Sequence, residues 1–135
     1  MNTHESYVSL ETAKLLKQAG FDWETIKAYG QDEGLYGTIC ISRNFNAEKG
    51  FIAAPSLAVA QKWLREIRHR SIEVKSFVDG TVDNRGKWWI WHVYDFNPPI
   101  DWVLLMSSDC RYSTYEEAQE ASIKKALEII LEKGE

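Results

Sequence analysis

The side chains able to do chemistry are few and scattered. Cys110 and His92 pair a thiol with an imidazole, the elements of a nucleophile and its base. A single cysteine and a single histidine without a local signature read instead as buried or incidental side chains. His92, Asp95, Asp101 and Asp109 offer nitrogen and oxygen donors, but their spacing fits no zinc or calcium loop. The acids read as residues bounding the ends of strands. No catalytic residue, no metal ligand and no cofactor is expected from these patterns. Two denser groupings remain. Trp88, Trp89, Trp91 and Tyr94 crowd one short stretch, where aromatic faces can stack bases or sugars, or form the apolar centre of a protein interface. The same rings also make good core. Lys62, Arg65, Arg68, His69 and Arg70 form the best basic cluster. Set at a helix end it can meet phosphates, or it can be a solvated face whose cations favour the negative end of the helix dipole.

The elements that must position these groups can be read from local pattern. Ser9 is a helix N-cap with Glu11 in the first turn. Leu10, Ala13, Leu16 and Ala19 then share a face, and Gly20 is a left-handed stop onto which Phe21 can fold. This predicts a helix over 9–19. Residues 25–42 read as a hairpin, with Gly30-Gln31-Asp32-Glu33-Gly34 as the turn and Ile39, Cys40 and Ile41 in its second arm; 43–50 reads as a polar loop. Pro55 and Ser56 introduce a helix over 56–69, with Leu57, Ala60, Trp63, Leu64 and Ile67 as one stripe.

Three strands follow, over 71–78, 87–95 and 101–106. The second is the clearest. Trp88, Ile90, His92 and Tyr94 fall on one face; Trp89, Trp91 and Val93 fall on the other. Asn97-Pro98-Pro99 breaks the chain after it. Thr114-Tyr115-Glu116-Glu117 is a capping box opening a helix over 114–133, whose buried stripe is Ile123, Ala126, Leu127 and Ile130. The expected fold is α+β: an antiparallel three-stranded meander flanked by helices (α-β-β-β-α), preceded by an N-terminal helix and the hairpin. Both long helices are expected on one sheet face. The other face then needs the hairpin, a second subunit or a ligand to cover it.

Length and composition agree with this reading. The chain has 135 residues, 44% hydrophobic and 27% charged, which fits one globular domain over 1–135. Six tryptophans and six tyrosines are heavy for this length. A net charge of −4 disfavours unaided binding to phosphate backbones, which relies on clustered cations. Cys40 and Cys110 stand apart and read as reduced, buried small hydrophobes. No basic segment followed by an apolar run opens the chain, and no apolar run nears the roughly 20 residues of a membrane helix. A cytoplasmic protein with no membrane partner is expected.

Three stretches resemble short uncharacterised proteins of gut Bacteroides genomes and their prophages: 8–16 (Val8-Ser9-Leu10-Glu11-Thr12-Ala13-Lys14-Leu15-Leu16), 54–66 (from Ala54-Pro55-Ser56 to Trp63-Leu64-Arg65-Glu66), and Thr114-Tyr115-Glu116-Glu117-Ala118 through Ile130. The resemblance implies a phage or mobile-element association and carries no activity. The helix–three-strand–helix order is also similar to that of double-stranded-RNA-binding domains, an analogy of fold alone. Those domains open their last helix with basic residues. Here Glu116, Glu117 and Glu120 stand there, and carboxylates repel a phosphate backbone. The function expected is a non-enzymatic interaction module that binds protein, a second copy included, through a sheet face bearing Trp88, Trp89, Trp91 and Tyr94. The alternative is a nucleic-acid-associated accessory protein using Lys62, Arg65, Arg68 and Arg70.

Overall fold

The first helix forms where its caps dictate. In the computed structural model, which describes residues 6–37, 42–78, 87–95, 103–108 and 110–134, α1 runs Leu10–Gln18. The Ser9 hydroxyl accepts from the Thr12 amide at 3.3 Å. At the other end Gly20 takes φ +97. Its N–H donates to the Lys17 carbonyl at 3.1 Å, and the Phe21 N–H donates to the Leu16 carbonyl at 2.9 Å. Those two bonds make a Schellman cap, which only a left-handed residue after the helix permits.

Among the described residues three α-helices and two three-stranded antiparallel sheets make the α+β fold. The chain falls into two compact units: Met1–Ala60 with Leu127–Glu135, and Gln61–Ala126.

In the first unit β1 (Lys27–Tyr29) lies between β2 (Leu35–Gly37) and β3 (Ile52–Ala53). The expected hairpin is present as β1–β2, with Ala28 opposite Tyr36. Beyond it Thr25 and Arg43 exchange both backbone hydrogen bonds, at 3.0 and 3.1 Å. The expected arm through Ile39, Cys40 and Ile41 lies outside the described residues. Within the polar loop, Phe45–Ala47 is a turn of 3-10 helix. Asn46 fastens it: its Nδ2 donates to the Phe21 carbonyl and its Oδ1 accepts from the Ala53 amide, both at 2.8 Å. Val8, Leu16, Phe21, Ala28, Phe45 and Ala53 are buried here.

In the second unit the strands run in the order β4 (Arg70–Val78), β5 (Lys87–Asp95), β6 (Val103–Ser107), the expected meander. β4 and β5 pair along their whole length, from Arg70 opposite Asp95 to Val78 opposite Lys87. Period-two alternation sorts their side chains. Ile72, Trp91 and Val93 are buried on the inner face. Trp88, Ile90, His92 and Tyr94 are half-buried on the outer face. Tyr115, opening α3 (Tyr115–Glu132), meets Trp89 of the inner face edge-on at 5.3 Å.

α2 spans Leu57–Ile67, shorter than the 56–69 expected. Arg68 makes the last helical bond, to the Leu64 carbonyl at 3.2 Å. His69 then takes φ +56 and turns the chain into β4. The stripe therefore ends early: Leu57, Ala60, Trp63 and Leu64 are buried, but Ile67, in the final position, is 49% exposed. At α3 the Glu117 amide donates to the Thr114 hydroxyl at 3.1 Å. The Glu117 carboxylate accepts from the hydroxyls of Thr114 and Ser113, at 3.0 and 2.9 Å. Ile123, Ala126, Leu127 and Ile130 are fully buried, as their spacing predicts. Among the described residues no helix is long and apolar enough to cross a membrane.

Candidate functional site

The aromatic cluster divides between two faces, and the division decides what each ring can do. Trp91 is only 4% exposed, so it is core and not contact surface. Trp89 shares its face and packs on Tyr115. Trp88 and Tyr94 lie on the outer face, each half-buried. The Arg111 guanidinium carbon sits 4.6 Å over the Trp88 ring. The Tyr94 hydroxyl donates to Glu73 Oε1 at 3.3 Å. Desolvation, and then the neighbouring Glu73 carboxylate, push the Tyr94 phenol above its ordinary pKa.

β6 adds exposed apolar side chains at this edge of the sheet, on both faces, in a way its sequence does not announce. Val93 pairs with Met106 but Tyr94 pairs with Leu104, so Leu105 is the extra residue of a β-bulge. The bulge breaks the alternation and leaves apolar side chains open: Val103 is 56%, Leu104 51% and Met106 38% exposed. Leu104 lies directly across from Tyr94. β6 carries no charged residue, whereas β4, at the other edge, carries Arg70, Glu73 and Lys75. Charges on an edge strand discourage adhesion, and β6 lacks that protection. The bulge disfavours continued strand pairing, so contact at β6 would be made by side chains. The run Val103-Leu104-Leu105-Met106, apolar without a period, was the signal in the sequence.

The basic cluster is likewise divided. Arg70 belongs to β4, not to the helix end, because the chain has already turned at His69. Its side chain is 4% exposed, with Nη1 3.0 Å from the Arg68 carbonyl and 3.5 Å from Asp95 Oδ1. That charge is unavailable at the surface. Lys62 faces Glu66 at 3.8 Å along the helix, and Arg65 is exposed.

His92 is held to Ser107, Nδ1 to Oγ, at 2.9 Å. Glu73 stands opposite His92 in the ladder, a linear arrangement of acid, imidazole and hydroxyl. The acid, however, is engaged by Tyr94 and by Lys75 Nζ, the latter at 3.5 Å. Among the described residues no carboxylate is hydrogen-bonded to the His92 ring, the third contact that orients the base of a serine triad. Cys110 is exposed. Asp101 and Asp109 lie outside the described residues. Among the described residues no three His, Cys, Asp or Glu side chains converge as a metal site.

A second feature, absent from the sequence reading, is a cleft of about 680 Å³ in the first unit. The β1–β2 turn forms one side and residues 43–51 the other. Compared with protein-family models, curated proteins and solved structures, the chain matches none.

Proposed function

We propose that this chain is a non-enzymatic interaction module, of phage or mobile-element association, that binds protein through its second sheet. The contact surface is the β6 edge: Leu104, continued on the outer face by Tyr94 and Trp88, with Val103 and Met106 exposed on the other face of the same strand. One observation carries the reading, the exposure of three large apolar side chains on an uncharged edge strand. Grouped apolar side chains at a protein surface mark contact sites far more often than scattered ones do. Half-buried aromatics beside them suit the rim of such a contact, since they add apolar area at low cost in side-chain entropy. The engagement of Glu73 by Tyr94 and Lys75, away from His92, supports the non-enzymatic part. Burial of Arg70 against Asp95 weighs against a phosphate-binding patch.

Site-specific photocrosslinking in the native cell tests this reading. A photoreactive residue placed at position 104 should yield adducts with protein, a second copy included. The same probe at position 62 should not. Adducts with nucleic acid alone, or none at either position, would overturn the proposal.

A further inference from the structure

The geometry of the first unit points to a small-molecule site in the cleft, for an organic anion with a flat apolar body such as an aryl carboxylate. The volume, about 680 Å³, lies in the range of ligand pockets, roughly 300–1,000 Å³. Its lining is suited to a planar ring. Ala28 and Phe45 are buried beneath it, at 1% and 3% exposure. The Phe51 ring stands 5.7 Å from that of Phe45, inclined at 54°. Tyr36, on β2, closes the opposite side.

Two cations, Arg43 and Lys49, also line the cleft. Arg43 is held in place from two directions. Its guanidinium carbon lies 4.8 Å over the Phe45 ring, and its Nε binds Glu48 Oε2 at 2.9 Å. A guanidinium anchored through Nε still presents the N–H groups of its two terminal nitrogens, a fork matched to a carboxylate. Holding it on an aromatic surface lowers the entropy lost when that fork is used.

Asp32 is the acid among the described residues that line the cleft, and each of its oxygens already accepts one hydrogen bond. Oδ1 accepts from the Gly34 amide at 3.1 Å and Oδ2 accepts from the Tyr36 hydroxyl. Those bonds tie the carboxylate to the β1–β2 hairpin, and it keeps its charge. With Asp32 tied to the hairpin and Glu48 taken up at the Nε side of Arg43, the terminal N–H groups of Arg43 and the Lys49 ammonium favour an anion whose ring can rest against Phe45 and Phe51.

Isothermal titration calorimetry on the full chain tests the inference, with 1-naphthoate as the anion and 1-naphthalenemethanol as its neutral counterpart. Naphthoate should bind at least ten-fold more tightly than the alcohol. Arg43→Gln should remove that preference, and Lys49→Gln, at an exposed side chain, should reduce it in a fold that circular dichroism shows intact. Equal affinity for the two probes, no heat of binding at millimolar probe, or a preference unchanged in both variants would overturn the assignment. Each result is independent of crosslinking at β6.

Discussion

Gln119 of α3 donates from Nε2 to Gln61 Oε1 of α2 at 2.8 Å, and Gln61 passes the chain on, its own Nε2 donating to the Ile72 carbonyl of β4 at 3.2 Å. Two amides thus tie two helices and a strand of the second unit together. Gln119 is buried, so losing its partner leaves a polar group that water cannot readily reach. Gln61→Ala and Gln119→Ala should each cost about 1 kcal/mol. In a double-mutant cycle followed by urea denaturation their coupling should be about 0.5 kcal/mol or more. Strict additivity would show that the bond between the two amides contributes nothing.

Trp63 should be the costliest single truncation in α2. It is 1% exposed, whereas Ile67, four residues on, is 49% exposed. Trp63→Ala should cost about 3–5 kcal/mol, the range for aromatic truncation in a core. Ile67→Ala should stay within about 0.5 kcal/mol. Comparing the two denaturation midpoints checks both the burial and the early end of the helix.

The head of α3 rests on the Thr114 hydroxyl, which accepts from the Glu117 amide. Thr114→Ala should cost about 1 kcal/mol, and Thr114→Ser should recover most of it, because serine keeps the capping oxygen. An equal loss in both variants would assign the role to the methyl group instead.

Asp32 and Tyr36 should report on each other's protonation. The Tyr36 hydroxyl bond is the first cause, and the Gly34 amide the next, of an Asp32 carboxyl held below its ordinary pKa. The same bond holds the Tyr36 phenol above its own. A depressed carboxylate pKa contributes stability that is present above the unfolded-state value. That contribution is lost as pH falls through the folded value. NMR titration should show Asp32 titrating below the ordinary carboxylate range. In Tyr36→Phe it should move back up, and an unchanged value would show that the hydroxyl bond is not made in solution.

Leu104→Lys tests whether β6 serves the fold or a contact. Leu104 is half exposed, so the substitution should change stability by no more than about 0.5 kcal/mol. It should also abolish protein adducts from a crosslinker placed at position 106. A large loss of stability would mean that Leu104 supports its own sheet.

Much of the fold was legible because its signals are local. The Ser9 cap, the Gly20 stop, the Thr114 box and the span of β5 each depend on residues within a few positions of one another, so spacing alone specifies them. The end of α2 was less legible. Arg68, His69 and Arg70 read as a helical continuation, and only the left-handed turn at His69 places Arg70 in a strand with its charge against Asp95.

By itself the sequence determined the α+β class, the helices and the meander, since caps and periodicity act within a segment. It also split the β5 aromatics into two faces, because alternation follows from the pleat. Which face is core was decided only by tertiary structure. Burial depends on what packs against the strand, and that put Trp91 inside while Trp88 and Tyr94 remained half open. The bulge at Leu105 was decided the same way. It is a mismatch in length between paired strands, and no single segment encodes it. The cleft is the most non-local feature of all: Ala28, Tyr36, Arg43 and Phe51 come from separate segments, and they line one space only because strand pairing and the Asn46 bridge draw those segments together.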